Sequence, residues 1–258
     1  PPLFSSRRRH TRCAIKSRGL GDVYKRQQLL FSAIRPAYRE EDETVIATES
    51  KRVIHDLRSQ PVLLTAVPSV EEAVWYAEGI DLTVAAHTEA GQVALAPRFD
   101  LREQAKGRPL VLWTIPPSSA LLRWMIETIE PTEVYLCGQR AADDQLSSVL
   151  RNVASMCKYA LTNDGLLDLE RMAARLGTTE AVVRQALLWL ESRGQIQVVE
   201  WTPEGQSSDV LQIAPGSGDD DHTRRIILQA ELDEQLAEVR AYRRFFLRAK
   251  PKALGLES

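Results

Sequence analysis

The chain has no apolar run long enough to cross a membrane. Its longest uninterrupted stretches, such as Leu110–Trp113, hold four or five residues, against about 20 for a helical span. Its three cysteines lack paired spacing, which argues against a disulfide framework or a zinc site and fits a reducing cytosol. The N-terminal stretch is arginine-rich and has no apolar core segment, so no secretory signal is visible. A G-x-x-x-x-G-K-S/T phosphate loop is absent, and Gly216-Ser217-Gly218 leads into acids. Catalytic groups are as sparse. Glu71 and Glu72 are adjacent and cannot face one another across a substrate, while His55 and His87 have no nucleophile or ligand at an interpretable spacing. Asp219, Asp220, Asp221 and His222 sit consecutively in a Gly/Ser-rich stretch where their side chains diverge, and they read as a solvated charge run. The sequence therefore assigns this chain no catalytic residue, no metal site and no cofactor.

What is present is enough apolar material, 44% of 258 residues, for one large domain or two to three small ones. The formal net charge of −2 hides an uneven distribution. Residues 1–27 carry eight basic side chains against Asp22 alone, a net of +7, and the remainder is left with 25 basic and 34 acidic groups, a net of −9. The run SSRRRHTRCAIKSRGLGDVYKRQ has no apolar period and no caps, and it reads as translated sequencing-adapter sequence rather than a nucleic-acid arm. On that reading the protein extends upstream and this chain is a truncated piece.

Residues 28–40 read as a single strand, QLLFSAIRP, and a polar linker. From 41 to 140, short apolar runs alternate with amphipathic stretches, the pattern of an α/β layer. Val53–Leu57, Leu110–Thr114 and Glu133–Cys137 are its best strands. The last two flank a helix opened by Pro116-Pro117-Ser118-Ser119, faced by Leu121, Leu122, Met125 and Ile126, and closed by Pro131. Such a β-α-β unit joins parallel strands. Ser69-Val-Glu-Glu72 is a capping box that could open a helix, whereas Val74, Trp75 and Tyr76 favour a strand over 73–78, and the pattern alone does not decide between them. Residues 141–214 show three helices and a hairpin. The first helix has Leu146, Val149, Val153 and Cys157 inward, the second runs from Leu169 to Leu176, and the third is capped by Thr178-Thr179. Strands follow at Ile196–Trp201 and Val210–Ile213. That order predicts a winged helix-turn-helix. Residues 215–258 comprise a flexible acidic linker and a final helix over about 222–248, with Ile226, Ile227, Leu232, Leu236 and Val239 as its inner stripe. The predicted fold class is thus α/β: a small, mostly parallel sheet with flanking helices, then a winged helix-turn-helix and a C-terminal helix.

Two places offer contacts to nucleic acid. The third helix of the winged domain would be the recognition helix, presenting Thr179, Arg184, Gln185 and Arg193 to a groove. Residues 142–214, however, hold six basic groups against ten acidic ones, and duplex binding depends mainly on neutralising phosphates. The segment 240–252 is different, with six basic residues and three aromatics in 13 positions and no acid. Arg240, Tyr242, Arg243, Arg244, Phe245, Phe246 and Arg248 combine stacking planes with charge, the chemistry that holds single strands. The rival reading packs the aromatics onto the fold and leaves the arginines solvated. Trp113-Thr-Ile-Pro-Pro117 ends a strand where open sheets bind ligands, but it carries no titratable group and reads as a turn.

The order VIHDLR, AVWYAEG, LVLWTIPPS, PTEVYLCG, a KYAL helix, a winged helix and RAYRRFFLRA resembles the C-terminal extension of the RecJ family, closest to Chloroflexi-like forms. The likeness covers roughly residues 28–250, and its match at Trp75-Tyr76-Ala77-Glu78-Gly79 implies a strand over 73–78. It implies a single-strand-specific 5′–3′ DNA exonuclease of repair and recombination, whose manganese or magnesium is held by Asp/His motifs including a DHH triplet. None of those motifs occurs here, and Asp221-His222 is not one. The resemblance thus implies that the catalytic domains lie upstream and that 28–36 is the last strand of an OB-like domain. It also implies that this part contacts single-stranded DNA or repair proteins in the cytoplasm. The alternatives are a winged-helix transcription regulator with an α/β sensor domain, and a purely protein-docking module.

Overall fold

Short β-branched and aromatic segments make poor helices and fit a pleated, buried surface. The computed structural model describes residues 52–58, 67, 72–80, 87–88, 91–92, 95–139, 143–200 and 210–257. Contacts divide the chain into the units Pro1–Thr48 and Glu49–Ser258, and every described residue belongs to the second. The basic run 1–27, the strand expected at 28–36, Ser69–Glu71 of the capping box and the loop 201–209 lie outside the described residues.

In chain order the first strands are β1 (Val53–Asp56), β2 (Val74–Tyr76), the two-residue antiparallel pair β3 (His87–Thr88) and β4 (Gly91–Gln92), β5 (Leu110–Thr114) and β6 (Glu133–Gln139). β1, β6, β5 and β2 lie side by side in that order, and every pairing is parallel. The stretch around residue 75 is a strand, and Val74, Trp75 and Tyr76 are all buried.

The crossover from β5 to β6 is α1 (Ser119–Ile129). Ser118 Oγ accepts from the Leu121 amide at 3.2 Å, satisfying one of the helix's orphan donors. Its buried face is Leu122, Met125 and Ile129, packed on Leu110, Leu112, Val134 and Leu136, with Leu121 and Ile126 half-buried beside it. Burying each such side chain stabilises the fold by roughly 1.5–3 kcal/mol. The opposite face of the sheet carries Trp75, Val111, Tyr135 and Cys137.

The second half runs α2 (Leu146–Leu161), β7 (Leu166–Asp168), α3 (Leu169–Leu176), α4 (Glu180–Ser192), β8 (Ile196–Glu200) and β9 (Val210–Pro215). β7, β9 and β8 form an antiparallel sheet in that order. The sequence pattern does not reveal β7, because three residues cannot display an alternation; only its pairing of Leu166 with Gln212 and Leu167 with Leu211 defines it. Gly177 ends α3 in the left-handed region at φ 61°, a conformation that favours glycine. Thr179 then caps α4, accepting from Val182 N at 3.3 Å.

The stretch 215–221 is not the flexible linker its composition predicts. Gly218 N donates to Gly194 O at 3.0 Å and Asp221 N to Ser192 O at 2.8 Å. Gly216 lies so close to Gly194 that a Cβ would overlap that residue's carbonyl. Here glycine serves close backbone approach rather than mobility. Asp221 caps the next helix by accepting from Arg224 N at 2.9 Å, and Asp220 pairs with Arg225.

That helix, α5 (His222–Arg248), is 27 residues long. Its inner stripe differs from the expected one: Ile226 and Ile227 are each 55% exposed, and Leu228, Leu232, Leu236, Val239, Arg243 and Phe246 are buried. The spacing from Leu228 onward follows the helical repeat, and the two isoleucines fall outside it. Leu232, Leu236 and Val239 join the core of the helical half, while Phe246 joins the core of the parallel sheet. A short 3-10 helix, Pro251–Leu254, follows. Among the described residues, no helix is long and apolar enough to cross a membrane.

Candidate functional site

The repeat of α5 decides which members of its basic, aromatic end reach solvent. At about 100° per residue, Arg243 and Phe246 continue the buried stripe, while Arg244 and Arg248 fall about 40° apart on the outer side. Arg243 therefore does not share a surface with Arg244 and Arg248, although the sequence reading groups all three in one basic, aromatic set. Arg243 is buried between the Asp144 carboxylate and the Gly177 carbonyl, both of which accept from it. Arg240 donates to Asp144 O at 2.9 Å. Phe246 is fully buried, with the Arg58 guanidinium 5.5 Å from its ring centre. Arg58 also donates to the Phe246 carbonyl and, at 2.8 Å, to Ala249 O. Tyr242 is half-buried, and burial raises its phenol above the ordinary range.

What remains outside is Arg244, Phe245, Arg248, Lys250 and Lys252, with Phe245 48% exposed. Among the described residues, no carboxylate pairs with any of these four cations.

The other candidate, α4, is an interior helix. Of its residues only Ala181 is exposed, because α5 lies across it. Gln185 is buried and donates to Leu228 O at 3.3 Å and to Glu231 Oε2 at 2.7 Å. Thr179 serves as the cap, and Arg184 is half-buried. Arg193 stays exposed at the helix end, its guanidinium 5.2 Å from the centre of the Trp189 ring.

Sequence reasoning missed a buried polar junction at the carboxyl ends of β2 and β5. Arg98 and Glu78 form a bidentate pair at 2.8 and 2.6 Å. The same carboxylate accepts the Tyr76 hydroxyl at 2.9 Å and the Arg98 amide at 2.8 Å. Glu78 N in turn donates to Thr114 Oγ1 at 2.9 Å. Burial, reinforced by the Glu78 charge, holds the Tyr76 phenol well above its ordinary pKa. Open parallel sheets commonly take ligands at this end; here the turn between α3 and α4 closes it. Arg98 Nη2 donates to Thr178 O at 2.7 Å, and Gly79 N to Ala174 O at 2.9 Å. The residues of Trp113–Pro117 that end β5 are buried or half-buried.

A second cluster joins β1 to β6. His55 Nε2 lies 2.9 Å from Glu133 Oε2, which also accepts the Tyr135 hydroxyl at 2.7 Å. The His55 and Tyr135 rings stack at 4.2 Å. Those hydrogen bonds, Tyr135 first, hold the Glu133 carboxyl below its usual range, and burial plus Glu133 pushes the Tyr135 phenol up to about 12. The cluster is a hydrogen-bonded set without a serine, cysteine or lysine in it.

Among the described residues, no three histidine, cysteine or acidic side chains gather as a metal site. Comparison of the chain with protein-family models, curated proteins and solved structures gives no match.

Proposed function

We propose that this chain is the non-catalytic C-terminal region of a RecJ-like 5′–3′ single-strand exonuclease, and that it holds single-stranded DNA at the end of α5. The observation that carries the DNA contact is the outward set Arg244, Phe245, Arg248, Lys250 and Lys252, an exposed ring among cations that no carboxylate of the described residues pairs with. Phosphates need the charge, and a base can stack on the ring. The family reading draws support from the sheet. VIHD, VWY, LVLWT and EVYLCGQ, the segments that carry the resemblance, are its four strands. We read α2 to β9 as a winged helix whose third helix is used for packing. In this reading the metal ions and the cutting chemistry belong to domains outside this chain. A transcription regulator would need that third helix free to enter a groove, and its burial under α5 speaks against it.

The test is fluorescence anisotropy with a labelled oligothymidylate, with and without residues 1–27 so that their +7 charge is separated out. Changing Arg244, Arg248 and Lys250 to Ala is expected to weaken binding and flatten its salt dependence by about two log–log units, at roughly 0.7 per phosphate contact. Unchanged affinity in that variant would remove the proposed contact.

A further inference from the structure

A groove of about 700 Å³ lies between α2, β7 and α3, remote in sequence from the end of α5. Its apolar lining includes Met156, Tyr159, Leu166, Met172 and Leu176. Two of these stand out for exposure: Tyr159 is 73% and Leu166 48% open to solvent. Large apolar side chains left open around a concave surface mark an interaction site.

The charge left without an ion-pair partner around the groove is basic, although the carboxylate of Asp168 belongs to the lining. Arg171 and Arg175, one turn apart, line its α3 side. On α2, Arg151 and Lys158 are exposed one step round the helix from the lining residue Ser155. The nearby carboxylates are engaged. Asp168 caps α3 and lies 3.3 Å from Arg171 Nε, Glu170 pairs with Arg102 at 2.8 Å, and Asp164 accepts from Leu166 N at 3.1 Å. Arg175 has no ion pair among the described residues. The Arg171 guanidinium also rests 4.9 Å from the centre of the Phe99 ring.

We propose that this groove docks an amphipathic, acidic segment of a partner protein, with apolar anchors between α2 and α3 and carboxylates against Arg175, Arg151 and Lys158. The aliphatic and thioether lining favours peptide side chains over nucleobases. Flexible methionines adapt to apolar anchors, whereas bases call for stacking planes and Tyr159 supplies only one. The inference does not depend on the exonuclease reading.

The test uses the full chain and three labelled probes. The first is a helix-forming peptide of about 14 residues, four turns, with Leu and Phe at i, i+3, i+4 and i+7 and glutamates elsewhere. The second is the same peptide with lysines replacing the glutamates, and the third is an oligothymidylate. The acidic peptide is expected to bind, the lysine peptide at least about tenfold more weakly. Y159S, L166S and R175E should each weaken the acidic peptide about tenfold, a difference of about 1.4 kcal/mol, without lowering Tm. Equal binding of both peptides, no binding of the acidic one, or acidic-peptide binding indifferent to all three substitutions overturns the proposal. So does a groove-dependent preference for oligothymidylate, which would assign the surface to nucleic acid. Substitutions at Arg244 and Arg248 should leave peptide binding unchanged, so the two sites succeed or fail separately.

Discussion

Arg98 and Glu78 form a buried ion pair that also holds a carbonyl 80 residues away: Arg98 Nη2 lies 2.6 Å from Glu78 Oε2 and 2.7 Å from Thr178 O. From the far end of α5, Arg243 reaches the carbonyl next to it, that of Gly177. Two buried guanidinium groups thus grip consecutive carbonyls of the turn between α3 and α4. Carbonyls in a buried turn have no ladder partner and need donors from elsewhere, and here both halves of the unit supply them.

Removing one partner of the Arg98–Glu78 pair should therefore destabilise strongly. R98M leaves an uncompensated buried carboxylate and frees Thr178 O, and about 3–5 kcal/mol of stability is expected to be lost. The double variant E78L/R98M should recover part of that loss, because both charges leave together. Urea unfolding of the two variants measures the difference. Equal losses would show that the pair is not the source of the effect.

Arg243 and Arg244 are neighbours in sequence with opposite duties. R243A should lower stability by about 3 kcal/mol, since Asp144 loses its buried partner. R244A should change stability by less than about 0.5 kcal/mol, as exposed positions do, while weakening oligothymidylate. Thermal melts and anisotropy on the same two proteins separate the roles. A DNA defect confined to R243A, with no stability loss, would reverse the assignment.

How much of this was legible turns on the phase of one helix. The strands β1, β5 and β6 show in the sequence because each is a short apolar run between breakers, and α1 shows because its cap and its face agree. β2 does not, because a capping box competes with its strand-forming residues and only the family resemblance favours a strand there. The extent of α5 was legible too. Its inner stripe was not, because Ile226 and Ile227 outweigh the spacing of Leu228, Leu232, Leu236 and Val239. With the stripe started at Leu228, Arg243 and Phe246 fall inside and Arg244 and Arg248 outside, so the candidate surface follows from that choice. The junction of Glu78 with Arg98, and of His55 with Glu133, was not legible at all. Those partners lie 20 and 78 residues apart, and no local period connects them.

The stripe itself can be tested. L232A, in the shared core, is expected to cost about 2–5 kcal/mol through lost burial and the cavity left behind. I226S and I227S should each stay within about 0.5 kcal/mol, because more than half of each side chain already faces water. A large loss at either isoleucine, measured by urea unfolding, would restore the earlier phase of the helix.

Glu133 gives a prediction about acid. Its carboxyl sits below its ordinary pKa of 4.5 in the folded chain, through hydrogen bonds from Tyr135 and His55. A depressed folded value means the unfolded chain binds the proton more readily. The stability that Glu133 contributes is therefore present above pH 4.5 and lost as the pH falls toward the depressed value. E133Q should flatten the fall in Tm across that acid window and leave the slope between pH 6 and 8 nearly as before. A variant whose acid profile matches the parent's would show that the network carries no such linkage. Glu133 is about two-fifths exposed, so the effect should be modest and should shrink with added salt.

The last prediction separates the two places where the sequence offered DNA contacts. If α4 read a duplex, Arg184 and Arg193 would carry phosphate or base contacts, and each would matter in proportion to its charge. In the structure α4 is covered by α5, Gln185 is spent on Leu228 and Glu231, and Arg193 lies against Trp189. A helix needs an open polar face to enter a major groove, and α4 has only Ala181 exposed. Changing Arg184 and Arg193 together to Ala is therefore expected to alter the affinity for a 20-base-pair duplex by less than about twofold, with no change in salt slope. The Arg244/Arg248/Lys250 variant should lose single-strand binding under the same conditions. Titrations of both variants at two salt concentrations decide the matter, since each lost phosphate contact on a duplex flattens the slope by about 0.9. A flattening in the Arg184/Arg193 variant alone would mean that α5 swings away from α4 to expose a duplex-binding surface, and the packing role assigned to α4 would be wrong.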